Sequence, residues 1–252
     1  MAVIHGSKAD VFLNGYNAGD WFNSVTSQAT KELNEATTLN NNGYKAHHAR
    51  MRDATFTMNG FFDASNAVDF ATNTALDPDT GDYALNAMIQ GGVVGGSDDV
   101  VLHAPGGANS VGDIIFGAKG AATTYGLEGS SSELLGASVE FTSCCGRERC
   151  VLAKPLATAT NTFTGTQIDN TASTTKGGSA YLMVTDWTSG SLPVLIEHSA
   201  DGISWSTLGS FAAVGADHAF ERITFSGTVN RYVRASAAGT YVATFLVAIH
   251  RN

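Results

Sequence analysis

Apolar side chains return at every second position through much of this chain, in short runs bounded by Gly, Asn, Asp or Ser. That is the period of a β-strand with one buried face. In the first part such runs fall at residues 9–14, 55–62, 98–103, 113–118, 123–127 and 137–142. Phe56 and Met58 show the pattern well: they point one way, while Thr55, Thr57 and Asn59 point the other. A second series lies at 180–187, 193–198, 204–211, 219–226, 231–235 and 241–250, spaced as in a small β-sandwich. Asp201-Gly202, between two of these runs, predicts a hairpin turn, because glycine supplies the positive φ that the turn needs.

Helical spacing is best over residues 65–76, where Val68, Ala71, Ala75 and Leu76 fall near one face. Asp63 or Ser65 is its candidate N-cap, and Asp77-Pro78 ends it. The polar stretch 26–50, with Leu33 and Leu39 its only large aliphatics, reads as a loop or extended hairpin used between subunits. Composition shifts between about 151 and 178, where Lys154-Pro155-Leu156 precedes a Thr-, Asn- and Ala-rich segment ending in Lys176-Gly177-Gly178. The expectation is therefore an all-β protein with one short helix, divided into residues 1–155, a β-sandwich or barrel, and 156–252, an immunoglobulin-like β-sandwich.

The 252 residues are enough for two cores, and 15% charged content, against roughly 25% in ordinary globular domains, leaves Thr, Ser, Asn and 28 Gly to make the polar surface. No window approaches the apolar length of a membrane helix, and the first eight residues carry no basic or sustained apolar leader pattern. A soluble protein made and kept in a cytoplasm is expected. The net charge of −9 lies entirely in the first part: residues 1–150 hold 17 acidic against 8 basic side chains, and residues 151–252 hold 6 of each. Tight nucleic-acid binding needs the opposite balance. Such a surface suits DNA that must slide past without sticking, and equally suits simple solubility.

The chemical motifs are incomplete. Cys144, Cys145 and Cys150 lack a fourth nearby ligand for zinc; reduced thiols are the default, and a hairpin disulfide from Cys145 to Cys150 is the alternative. Arg147 and Arg149 flank them without a general base, so nucleophilic catalysis is not expected. Asp77-Pro78-Asp79-Thr80-Gly81-Asp82 opens like a calcium loop but lacks its later ligands, and reads as a polar turn. Lys45, His47, His48, Arg50 and Arg52 form a basic patch, either ordinary polar surface or a contact for an acidic face of a neighbouring subunit. Gly91 to Gly96 and Gly106-Gly107 match no phosphate-binding loop. Ser199 to Trp205 is one residue short of a sialidase-type Asp-box, so Trp205 is expected to pack on the sandwich. No cofactor, metal or enzymatic activity is expected.

Two segments carry a resemblance. His5-Gly6-Ser7-Lys8-Ala9-Asp10-Val11-Phe12-Leu13-Asn14-Gly15-Tyr16 with Trp21-Phe22-Asn23-Ser24-Val25, and Arg52-Asp53-Ala54-Thr55-Phe56-Thr57-Met58-Asn59-Gly60-Phe61-Phe62-Asp63, resemble tail tube proteins of tailed bacteriophages over roughly residues 1–155. The C-terminal part, through 194–205 and 230–235, is similar to accessory β-sandwich domains of phage structural proteins. The resemblance implies a virion structural protein of the tail, six subunits per ring, rings stacked into a tube, contacts with other tail proteins, and a lumen through which DNA passes.

On that footing, edge strands of the first part are expected to pair with a neighbouring subunit, and carboxylates are expected to line the lumen. Asp98, Asp99, Glu128 and Glu140 are the lumen candidates; Lys45, His47, His48 and Arg50 are the inter-subunit candidates. Residues 156–252 are expected to fold alone and decorate the outside. The competing function is a capsid decoration protein or a carbohydrate-binding adhesin, suggested by the C-terminal sandwich with Trp187 and Trp205.

Overall fold

A computed structural model describes residues 9–35, 47–62, 81–89, 99–130 and 134–252. In chain order the strands are β1 (Asp10–Leu13), β2 (Tyr16–Asn17), β3 (Phe22–Glu35), β4 (His47–Phe61), then helix α1 (Gly81–Ile89). They continue as β5 (Asp99–Ala104), β6 (Ile114–Glu128), β7 (Gly136–Ser143), β8 (Glu148–Thr160), β9 (Phe163–Thr164), β10 (Ile168–Asp169) and β11 (Gly178–Gly190). The last are β12 (Val194–Ser199), β13 (Ser206–Ser210), β14 (Ala219–Phe225), β15 (Tyr232–Ala237) and β16 (Tyr241–Arg251). Among the described residues the fold is all-β with one short helix, as the period of two implies.

The runs at 113–118 and 123–127 belong to one strand, β6, with a register shift between Ala122 and Thr124. Of the stretch expected to be a loop or extended hairpin, residues 26–35 and 47–50 belong to the antiparallel pair β3 and β4, which runs from Phe22↔Gly60 to Glu35↔His47; residues 36–46 lie outside the described residues. The expected helix at 65–76 lies outside the described residues. The described helix starts at Gly81, inside the segment read as a polar turn, and buries Ala84, Leu85 and Met88 on one face against β6. Those three positions repeat at helical spacing.

Two sheets hold the strands. The larger runs β14-β11-β16-β8-β6-β5-β1-β2, with β7, β4 and β3 branching from β6; the smaller runs β10-β15-β12-β13, with β9 on β15. Three apolar clusters follow from this layout. One lies between β1, β4, β5, β7 and α1, around Phe56, Met58, Leu85, Val139 and Phe141. Another lies between the two sheets of the C-terminal half, around Leu182, Val194, Ile196, Val233, Tyr241 and Phe245. The third draws on both halves, joining Phe12, Leu102, Ile115 and Leu152 to Tyr181, Met183 and Leu246.

The division expected after residue 155 falls inside β8. This strand pairs with β6 through Ile114↔Val151 to Gly117↔Glu148 and with β16 through Val242↔Thr160 to His250↔Cys150. At Lys154-Pro155-Leu156 its register against β16 shifts. Proline has no N–H to give the ladder, and the side chain of Lys154 supplies donors there. Its Nζ donates to Phe245 O (2.7 Å), Ala157 O (2.6 Å) and Pro155 O (3.2 Å) and lies 4.0 Å from the Phe245 ring centroid. Burial alone depresses its pKa to about 8.

Candidate assembly surface

Four neighbouring strands, β6-β7-β4-β3, form a sheet with one face on the core and one in solvent. Directly opposed residues in a ladder share a face, so the register identifies the outer set. Thr124↔Glu140↔Thr57↔Thr26 makes one row across it, Gly126↔Ser138↔Asn59↔Ser24 a second, and Glu128↔Gly136↔Phe61 a third. Thr142↔Thr55↔Gln28 continues it, and Asp53↔Thr30 lies beyond. The face is thus Ser-, Thr- and Asn-rich, with Asp53, Glu128 and Glu140 all exposed. Segments 22–30, 53–61, 122–128 and 136–143 contain no Lys or Arg.

Among the described residues the sheet ends in β3: twelve of its 14 residues pair with β4, and no other described strand pairs with it. Asn23, Ser24, Thr26, Gln28, Ala29 and Thr30 are exposed. An open edge of that length offers a row of N–H and C=O groups to another chain. Arg147, from the turn between β7 and β8, touches β3 at one point: its Nη1 donates to Ser27 O and Ser27 Oγ, each at 2.9 Å, while its guanidinium lies 4.3 Å from the Phe116 ring centroid.

Of the lumen candidates, Glu128 and Glu140 lie on this outer face, and Asp98 lies outside the described residues. Asp99 is corrected: it is 1% exposed, and its carboxylate accepts from Asn14 Nδ2 (2.7 Å) and from the Ala122 N–H (3.0 Å). It is a structural acceptor that holds the β1 turn to β6. Asp53, which the strand pattern passed over, belongs to the face instead. Its signal was the alternation that continues N-terminally from Thr55.

Of the inter-subunit candidates, Lys45 lies outside the described residues. His47, His48 and Arg50 occupy the first residues of β4, where Glu35↔His47 and Asn34↔His48 are the last described pairs with β3. The cysteines separate: Cys150 is buried, and Cys144 and Cys145 are exposed, all three as free thiols. Trp187 packs on the C-terminal core, and Trp205 has Arg234 over its ring at 4.0 Å, with Arg234 Nε held by Glu197 at 2.8 Å. Among the described residues no three His, Cys, Asp or Glu side chains are grouped to hold a metal, and no helix is long and apolar enough to cross a membrane.

The sequence matches no protein-family model and no curated protein. Solved structures similar to it include a chain of the virion of a native gene transfer agent particle, 14% identical, with a TM-score of 0.41 over 58% of this chain and 98% of that one. The Dit protein of phage SPP1, described as a hub of the adsorption apparatus in phages infecting Gram-positive bacteria, is 10% identical, with a TM-score of 0.36 over 96% and 98%. A chain of the phage p2 baseplate in its activated conformation is 6% identical, with a TM-score of 0.35 over 97% and 98%. At TM-scores below 0.5 these likenesses assign neither a family nor a function to the chain.

Proposed function

We propose that this chain is a structural subunit of a phage tail that closes into homohexameric rings and stacks them into a tube, with other tail proteins at its ends. The observation that carries the proposal is the β6-β7-β4-β3 sheet, which ends in an open 14-residue strand and bears only carboxylates as charged groups across its central rows. Pairing β3 with an edge of the next copy extends the sheet around the ring and satisfies its backbone groups. In that ring the outer face of the sheet becomes the inner wall, with Asp53, Glu128 and Glu140 repelling the phosphates of passing DNA. Residues 1–155 form the wall, and residues 156–252 face outward. Particles assemble in the host cytoplasm and remain in the virion tail.

Negative-stain microscopy of the purified chain tests the reading. Rings or hollow tubes are expected. Persistent monomers or trimers that bind glycans on an array replace it with the adhesin or decoration reading.

A further inference from the structure

The turn between β7 and β8 holds two adjacent exposed thiols with their sulfurs already together. Cys144 Sγ lies 3.1 Å from Cys145 Sγ. The turn is tied down on several sides. Cys144 N donates to Lys119 O (3.0 Å) and Cys144 Sγ approaches the same oxygen (3.3 Å). Ser143 Oγ accepts from Cys145 N (3.1 Å) and lies 2.9 Å from Gly146 O. Gly146 takes φ of 78°, and Arg147 anchors the far side to Ser27.

Cys150 is not the partner. It is fully buried among Phe12, Ile115, Leu152 and Tyr181, it is fixed in register by Ile115↔Cys150 and His250↔Cys150, and burial pushes its thiol up beyond the ordinary range. Reaching Cys145 would require β8 to leave both neighbours. The alternative disulfide raised by the sequence spacing is thereby replaced by a closer pair.

We propose that Cys144 and Cys145 form a vicinal dithiol site that is oxidised by small-molecule disulfides to an eight-membered-ring disulfide within the turn. One thiolate attacks a sulfur of the oxidant RSSR, breaking its S–S bond, releasing RS⁻ and leaving a mixed disulfide on the protein. The adjacent thiol gives its proton to solvent and attacks the protein sulfur of that mixed disulfide. The Cys144–Cys145 bond forms, a second RS⁻ departs, and two electrons have passed from the pair to RSSR; both RS⁻ are protonated to RSH. The site is selective because the second step is intramolecular between sulfurs already in contact. It is also readily reversed: neighbouring Cα atoms are about 3.8 Å apart across a trans peptide, below the roughly 4.4–6.8 Å that relaxed disulfides span, and the resulting strain makes a bond more reducible. Oxidation removes the S–H that approaches Lys119 O and stiffens the turn that Arg147 links to β3.

Oxidised glutathione in mildly alkaline buffer is the probe, read by intact-protein mass and by alkylation after denaturation. The full chain is expected to lose two hydrogens, to retain one alkylatable thiol, and to yield a peptide containing the Cys144–Cys145 bond; mild dithiothreitol restores all three thiols. Cys144→Ser and Cys145→Ser each stop at a glutathione adduct, whereas Cys150→Ala still closes. Three unreacted thiols, a stable adduct on the unsubstituted chain, a covalent dimer, or a peptide linking Cys150 overturns the proposal. None of these readouts depends on ring formation.

Discussion

Tyr16 and His218 lie ring on ring, centroids 3.9 Å apart and planes 10° from parallel, joining the first hairpin of the chain to a loop 202 positions later in sequence. The hairpin turn, Asn14-Gly15, has φ of 49° and 84°, the left-handed pair that a two-residue turn matched to sheet twist requires. A Cβ on Gly15 would stand 2.4 Å from the backbone carbon of His218. Gly15→Ala is therefore expected to destabilise by about 1–3 kcal/mol from the backbone conformation alone, with the clash adding to it. Thermal unfolding of the variant, compared with an exposed Gly112→Ala control that meets no atom within 4 Å, checks the steric part.

Glu148 joins three strands. Its Oε2 accepts from Ser179 Oγ (2.6 Å), Tyr181 OH (2.5 Å) and Arg222 Nε (3.2 Å), while Oε1 takes Arg222 Nη2. Burial pushes this carboxyl up, but the bonds from Arg222, Ser179 and Tyr181 outweigh it and hold the pKa below the usual 4.5. Its stabilisation is thus complete above pH 4.5 and is lost as pH falls through the lower folded value. Arg222→Ala leaves a carboxylate nearly out of solvent without its cation, and an unfolding cost of about 3 kcal/mol is expected in urea titrations. Glu148→Gln is expected to flatten the acid limb of the stability profile.

Lys154 gives a pH dependence of the same sign at the alkaline end. Its folded pKa of about 8 lies below the ordinary 10.5, so between these values the unfolded chain holds the proton and the folded chain has released it. Unfolding then takes up a proton, and stability rises with pH across that window. The stability difference between the unsubstituted chain and Lys154→Met, measured from pH 7.5 to 10.5, is expected to move in favour of the lysine. A flat difference means the ammonium is not desolvated.

The assembly surface has two separable tests. Deleting residues 34–44 shortens the β3–β4 hairpin and is expected to abolish rings while leaving far-UV circular dichroism and monomer solubility unchanged. Asp53→Lys with Glu140→Lys is expected to keep rings but make them retard duplex DNA in a gel, an effect that vanishes with added salt. Rings that carry both lysines and still ignore DNA remove the conduit argument.

A chain stopped after Lys154 is expected to be insoluble or to bind hydrophobic dyes. It would strip Tyr181, Met183, Leu246 and Ala248 from the shared cluster and leave β8 without β16. A soluble, cooperatively unfolding fragment would establish the independent halves that the composition shift suggests. Outward decoration by residues 156–252 is better probed by surface substitution than by truncation.

Strand identity was legible wherever one face is buried and the other is wet, because alternation reports that asymmetry directly; residues 55–62, 137–142 and 241–250 are examples. β3 was not, since Ser24, Thr26 and Gln28 face solvent while Val25 is partly buried against the core. β8 was obscured by Pro155 and by the charged Lys154 in its middle, both reconciled only by a bulge whose missing donor is a side chain. Asp99 looked like any exposed carboxylate at a strand start; its partners, Asn14 and Ala122, are distant in sequence or hidden in a backbone N–H. The Asn14-Gly15 turn is signalled by its dipeptide, which overlaps the last residue of the run 9–14. The pairing of Cys144 with Cys145 depends on turn geometry that residue spacing does not encode.

The passage of β8 through both halves has a mechanical consequence. A pull on the C-terminal half along the strand axis loads the β8–β16 and β8–β6 ladders lengthwise, so their hydrogen bonds resist together instead of parting one after another. Lys154 pins the middle of that path through three carbonyls. Force applied to the C-terminal half is carried through β8 and β6 into the sheet that holds β7, β4 and β3.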